Sequence, residues 1–309
     1  MYCHDALTFE LMPQSQPRYL VVGADGMVGN ALLTRLRQAG LCVLGTTRRR
    51  DHVNEECLHL DLADELEPWR PPQPVDVAIL CAGETRIQAC KNNPAQSANI
   101  NVKGILQLAK NLQSGGAFVI FLSTNQVFDG SVPFRSPRDP CCPVTEYGRQ
   151  KAEVERQLGQ SGAPGAIVRF TKILGPRTPL FATWAEALRR GQSIQPFSDM
   201  ALAPVPLSCV VSLLLLIAGR RLPGIFQVSG DRDISYEAAA RTGASAMGAD
   251  PRLIQPVKTA QNGVDTEPFL PVHTTLDMEV LKLTLGVVPP SVEWTIKTAF
   301  VHPQLLGGG

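Results

Sequence analysis

Apolar residues gather in short runs at 19–22, 41–44, 58–60, 75–81, 117–122 and 166–170, with amphipathic stretches in most of the gaps. Runs of that length, not alternating with polar residues, suit strands buried on both faces of a parallel sheet. Apolar positions at helical spacing predict helices over 27–39, 94–113, 145–159 and 181–190, and Gly40 and Gly115 stand where two of them would stop. This alternation specifies an α/β fold, a doubly wound parallel sheet of the Rossmann kind. After about residue 171 the pattern changes to loops rich in proline (Pro176, Pro179, Pro196, Pro204, Pro206), an apolar helix near 207–219, a strand at 224–229 and a helix near 235–247. The expected division is an N-terminal extension over 1–17, a sheet domain over 18–171 and a smaller lobe over 172–309, partly interwoven with the sheet. Residues 262–275, with Pro268 and Pro271, read as a loop over a cleft, and Gly307-Gly308-Gly309 as a disordered tail.

Composition removes several function classes. At 309 residues and 44% hydrophobic content the chain can bury a substantial core. Its 29 basic and 28 acidic residues leave a formal charge of +1, so no global field favours nucleic acid or an anionic membrane. The longest apolar run, near 210–218, falls well short of the roughly 20 residues of a spanning helix. With no basic-then-apolar pattern at the N-terminus, the expected location is the cytoplasm. The eight cysteines contain no C-x-x-C pair and read as free thiols in a reducing compartment. Five histidines form no i,i+4 pair, and no metal site is expected.

Three local patterns carry chemistry. The first apolar run enters Gly23-Ala24-Asp25-Gly26-Met27-Val28-Gly29 and leaves as a helix, a geometry that suits a dinucleotide pyrophosphate. Gly23 permits the turn, Gly26 lets backbone N–H groups approach the phosphates, and Gly29 lets the helix pack closely on the sheet. The second pattern, Ser123-Thr124-Asn125-Gln126-Val127, follows the fifth apolar run, so Thr124 is expected at the carboxyl edge of the sheet, facing the same crevice. The third is Tyr147-Gly148-Arg149-Gln150-Lys151, in which four-residue spacing puts Tyr147 and Lys151 on one helix face. An ammonium beside the phenol is expected to lower its pKa towards neutrality, and the Thr124 hydroxyl to hold a substrate oxygen. Thr46-Thr47-Arg48-Arg49-Arg50 is basic where an NAD enzyme would carry an acidic residue for the ribose hydroxyls. Arg48 or Arg49 is therefore expected to hold the 2′-phosphate of NADP, while Asp51 leaves NAD use open.

Taken in order, these motifs resemble the extended short-chain dehydrogenase/reductases, in the branch around dTDP-4-dehydrorhamnose reductase, over about residues 18–300. Val168-Arg169-Phe170-Thr171 followed by Leu174-Gly175, and the run from Gly224 to Gly230, belong to the same resemblance. It implies a nicotinamide cofactor in the first half, a nucleotide-sugar in the second, and Thr124, Tyr147 and Lys151 as the catalytic trio. Tyr147 would be the general acid, and Lys151 would also bind the nicotinamide ribose. It also implies cofactor contacts from Asp25, Met27 and Val28, from Asp61 and Leu62, and from Ala82 and Gly83. Substrate contacts are implied at Glu84, Asn125, Gln126, Val127 and Thr171, and Asn101 takes either a packing or a proton-relay role. The sequence departs from the family at Asn125-Gln126, where Asp-Tyr is usual, and at Glu84-Thr85, where Tyr-Thr is usual. The rhamnose precursor is accordingly expected to be a poor substrate. The implied activity is reduction of a nucleotide-sugar carbonyl. A nucleotide-sugar epimerase or dehydratase, and a non-catalytic regulatory subunit like the β subunit of methionine adenosyltransferase, are the alternatives. The resemblance also admits a homodimer paired through sheet-flanking helices.

Overall fold

The computed structural model describes residues 16–176, 178–261 and 270–307. Residues 1–15 of the expected extension, 262–269 of the expected cleft loop and the last two glycines of the tail lie outside the described residues. The first half runs β1 (Tyr19–Val22), α1 (Met27–Gln38), β2 (Val43–Thr47), β3 (Cys57–His59), β4 (Val77–Leu80), α2 (Ile87–Asn92), α3 (Pro94–Ala98), α4 (Ile105–Ser114), β5 (Phe118–Thr124), α5 (Glu146–Gln160) and β6 (Gly165–Phe170). The second half runs β7 (Ile173–Leu174), α6 (Pro179–Arg189), β8 (Ala201–Leu202), β9 (Val205–Pro206), α7 (Leu207–Arg220), β10 (Gly224–Val228), β11 (Ile234–Ser235), α8 (Tyr236–Met247), α9 (Glu279–Leu285) and α10 (Val292–Val301).

Seven strands form one parallel sheet in the order β10-β6-β5-β4-β1-β2-β3. From β1 the chain winds outward through β2 and β3, then crosses back to β4 on the other side. The loops after β1 and β4 therefore diverge, and the crevice between them is where such a sheet takes a ligand. Alternate residues of each strand bury into opposite layers. Tyr19, Val21, Val77 and Ile79 meet α1 and α7, while Leu20, Val22, Ala78 and Leu80 meet α4. A third cluster stands apart in the C-terminal lobe, where Phe181 packs edge-to-face on Trp184 at 5.6 Å and on Phe300 at 5.9 Å between ring centroids. From the second half, β10 pairs with β6, and α7 shares its core with α1.

Two elements differ from the sequence pattern. The second strand runs later than its apolar stretch, because Gly45, Thr46 and Thr47 continue the ladder between β1 and β3. Interior position selects them, and β-branched threonine suits a pleat. The single helix expected over 94–113 is three pieces. Pro94 opens α3, and a π-helical turn over Asn99–Gly104 separates it from α4.

Candidate active site

The loops beyond the carboxyl ends of the strands enclose a cleft of about 900 Å³. Its floor is the glycine turn. Gly23 has φ +87°, and a Cβ on Gly29 would stand 2.2 Å from the Gly23 carbonyl oxygen, so α1 docks on the turn only without a side chain there. No side chain caps α1, and its first turn holds no acidic residue, so its free N–H groups face the cleft with the positive end of the helix dipole. This cradle fits a pyrophosphate.

At the outer end of the cleft, Arg48 and Arg49 are exposed at its lip, and among the described residues neither guanidinium has a partner. Asp25 lies beside them. Its carboxylate accepts a hydrogen bond from Thr47 Oγ1 and lies 3.1 Å from His52 Nδ1. Burial acts to raise its pKa, yet the bonds from Thr47 and His52, with the charge of Arg49, bring it below the usual carboxylate range. Met27, Val28, Asp61, Leu62, Ala82 and Gly83 also line the cleft.

The reactive groups sit deeper. Buried Thr124 ends β5, and its Oγ1 accepts the Gln126 N–H at 3.2 Å, which fixes the hydroxyl at the cleft wall. Thr145 caps α5 by accepting the Gly148 N–H at 2.9 Å, and a Cβ on Gly148 would meet the Gln126 carbonyl oxygen at 2.1 Å. That close approach brings the first turn of α5, with Tyr147, against the Thr124 turn. Lys151 follows one turn on, donating to the Leu122 carbonyl at 2.8 Å, with Nζ 4.5 Å over the Phe121 ring and 5.8 Å from the Tyr147 ring centroid. Burial drives the Lys151 pKa down to about 8, against the opposing pull of Glu155.

Several residues stand otherwise than expected. The Tyr147 phenol is shifted up, not down, because burial raises it, with a smaller push from Cys90, while the Lys151 ammonium donates to the Leu122 carbonyl. Val127 is fully buried with Phe128 and Leu276 and does not reach the cleft, because the turn after Thr124 points it into the core. Gln126 lines the cleft, but its amide oxygen accepts from Thr145 Oγ1 at 3.1 Å and ties the turn to α5. Asn125 lies beside it, and Thr171 turns its hydroxyl onto the Ala203 carbonyl. Glu84 reaches the cleft in a two-pronged pair with Arg86 at 2.8 and 2.9 Å, and that pairing holds its carboxyl down at about 2. The Asn101 amide bonds the Glu84 backbone on both sides, at 2.8 and 2.9 Å, and donates to Gln150 Oε1 at 2.8 Å.

Other cleft residues left no motif in the sequence. Met200, Ala201, Tyr236, Pro271 and Thr274 close the far side from the second half. Asp233 pins that wall, accepting from the backbone N–H and hydroxyl of both Thr274 and Thr275, with His273 Nδ1 at 3.0 Å. Beneath the trio, Arg169 pairs with Glu155 at 2.6 Å with both side chains almost wholly buried, and Ser123 donates to the same carboxylate. Glu155 one turn beyond Lys151 was the available signal.

The chain is similar to proteins already known. The model of the RmlD substrate-binding domain matches residues 17–304. The dTDP-4-dehydrorhamnose reductase of Streptomyces griseus is 28% identical over 96% of this chain and 97% of its own. The probable low-salt glycan biosynthesis reductase Agl14 of Haloferax volcanii is 25% identical over 88% and 94%, and the methionine adenosyltransferase 2 subunit beta of Xenopus laevis is 27% identical over 82% and 79%. In fold, the chain is similar to the dTDP-4-dehydrorhamnose reductase of Bacillus anthracis, solved in complex with NADP (TM-score 0.82, 20% identity, 93% and 99% covered). It is also similar to the UDP-glucose 4-epimerase of Thermotoga maritima, solved with UDP-glucose (TM-score 0.74, 20% identity, 92% and 97% covered). The chain belongs to the RmlD substrate-binding-domain family, among the extended NAD(P)-dependent short-chain dehydrogenases/reductases.

Proposed function

We propose that this protein is an NADP-dependent reductase of a carbonyl group on a nucleotide-activated sugar. The observation that carries the reading is the meeting of a hydroxyl, a phenol and a buried ammonium, from Thr124, Tyr147 and Lys151, in the cleft whose floor is the glycine cradle. A nicotinamide bound there would supply hydride to the carbonyl carbon. The chain's own residues supply the rest. The Tyr147 hydroxyl, kept protonated by burial, gives its proton to the carbonyl oxygen; Thr124 Oγ1 orients that oxygen; and Lys151 holds the ribose hydroxyls and stabilises the phenolate left behind. Gly23, Gly26 and Gly29 with the first turn of α1 would cradle the pyrophosphate, and Asp61, Leu62, Ala82 and Gly83 the adenosine and ribose. Glu84, Asn125 and Gln126 would face the sugar.

The direct test is NADPH oxidation by the purified protein with a panel of nucleotide 4-keto sugars, followed by product analysis. A reductase consumes one NADPH per alcohol formed and releases NADP. Interconversion of sugars with no net consumption of cofactor makes it an epimerase, and tight cofactor binding with no turnover makes it a regulatory subunit of the kind represented by the methionine adenosyltransferase β subunit. Because Asn125 and Gln126 replace an Asp-Tyr pair, dTDP-4-dehydrorhamnose is expected to be reduced more slowly than another member of the panel.

Cofactor choice has its own test. Among the described residues, Arg48 and Arg49 have no hydrogen bond or ion pair to their guanidinium groups at the lip where a 2′-phosphate would lie, and a guanidinium binds phosphate as a fork. Replacing both with Ala is expected to raise the Kd for NADPH by about 10- to 100-fold and to leave that for NADH nearly unchanged. Calorimetric titration reads both. Equal losses for the two cofactors would mean that these arginines bind no 2′-phosphate.

A further inference from the structure

Among the described residues, Lys172 is the one cation lining the cleft that the trio and the cofactor cradle leave unused and that no carboxylate engages, Arg86 being held by Glu84. It follows β6 directly, two residues past Phe170, which pairs in register with Thr124. Its backbone is fixed on both sides, since the Thr171 hydroxyl binds the Ala203 carbonyl and the Lys172 carbonyl accepts from the Val205 N–H at 2.9 Å. The side chain thus emerges on the same edge of the sheet as the Thr124 hydroxyl, and opens to solvent inside the cleft.

Nothing among the described residues pairs with it. The carboxylates that line the cleft are engaged elsewhere: Asp25 with Thr47 and His52, Glu84 with Arg86, and Asp61 with the Ala63 N–H. The residues that close the cleft from the second half, Met200, Ala201, Leu202, Tyr236 and Thr274, carry no negative charge. The surrounding cleft wall lowers the Lys172 pKa, and among the described residues no carboxylate opposes the shift. Among the described residues its ammonium is therefore left for an anionic group of a ligand that enters the cleft.

We propose that Lys172 is a substrate-recognition residue that pairs with an anionic oxygen group of the substrate, carried by the diphosphate of the nucleotide or by a carboxylate on the sugar. This rests on the reading of the cleft as a nucleotide-sugar site and goes beyond it in naming the residue that selects for charge. Its placement beside Thr124 sets the anion close to the reacting sugar, away from the cofactor phosphates held at the glycine turn. Neutral keto sugars without a nucleotide would leave the ammonium unpaired and bind poorly.

The test uses the full chain saturated with NADP and titrated calorimetrically with dTDP, dTDP-glucose, UDP-glucose and UDP-glucuronate. Lys172→Met is expected to weaken the tightest of these by about 10- to 100-fold, and Lys172→Arg, which keeps the charge, by less than about three-fold. NADP affinity and thermal midpoint should stay at wild-type values in both, which a merely structural role would not allow. Loss across all four ligands assigns the anion to the diphosphate; loss confined to UDP-glucuronate assigns it to a sugar carboxylate. Wild-type protein that binds none of the four, or a Lys172→Met variant that binds them as well as wild type, overturns the proposal. Absence of any carbonyl turnover, with the Lys172→Met loss intact, would overturn the reductase reading and leave this one standing.

Discussion

Tyr147→Phe is expected to lower turnover by roughly 10²- to 10⁴-fold, the usual worth of a positioned proton donor, with NADPH affinity almost unchanged. The substitution deletes one oxygen from a side chain packed in the first turn of α5 and leaves the Thr145 cap and the Gly148 contact in place. The pH profile gives a second reading. Burial raises the Tyr147 pKa, so the phenol stays protonated across the neutral range and favours carbonyl reduction over alcohol oxidation. Lys151 is lowered to about 8, so its ammonium is present below that pH and is lost above it. Reduction is expected to hold steady up to about pH 8 and fall beyond it, whereas oxidation, which needs the phenolate, should rise with pH. Stopped-flow rates in both directions across about pH 6–10, a span that covers ordinary lysine and tyrosine titrations, would check this. Turnover of Tyr147→Phe within a few-fold of wild type would move the proton donor elsewhere.

Arg169→Met is expected to destabilise the protein by about 3–5 kcal/mol, because it strands a carboxylate in the core. Glu155 takes three hydrogen bonds from the Arg169 guanidinium, at 2.6, 3.0 and 3.1 Å, and one from Ser123, and is almost sealed from solvent. Arg169 Nη1 also reaches Gln227 on β10 at 3.1 Å, so the pair ties α5 to two neighbouring strands of the sheet. Urea unfolding monitored by circular dichroism measures the change. A loss below about 1 kcal/mol would mean that water or a shift of Glu155 relieves the stranded charge. Glu155 also acts on the site, since its charge opposes the burial that lowers Lys151. Removing that charge should bring the alkaline fall of reduction to a lower pH.

The sequence by itself determined the sheet, the glycine turn and the spacing of Tyr147 and Lys151. Each rests on near neighbours in the chain: apolar runs buried on both faces, glycines needed within seven residues, and two side chains one helical turn apart. Tertiary structure decided what depends on residues far apart in sequence. The motif pointed to a lowered phenol pKa, but enclosure by several elements raised it, and the ammonium that should have lowered it went to the Leu122 carbonyl. Val127 looked like a residue of the substrate wall by its place in the motif, and the turn after Thr124 sent it into the core. Thr171 and Lys172 are adjacent in sequence, yet the Ala203 carbonyl takes the hydroxyl and leaves the neighbouring ammonium in the cleft without a partner among the described residues. Short-range pattern fixes backbone elements because their hydrogen bonds and faces repeat along the chain. The charge state and direction of a side chain depend on which distant groups remove its water, and only the packed fold brings those groups together.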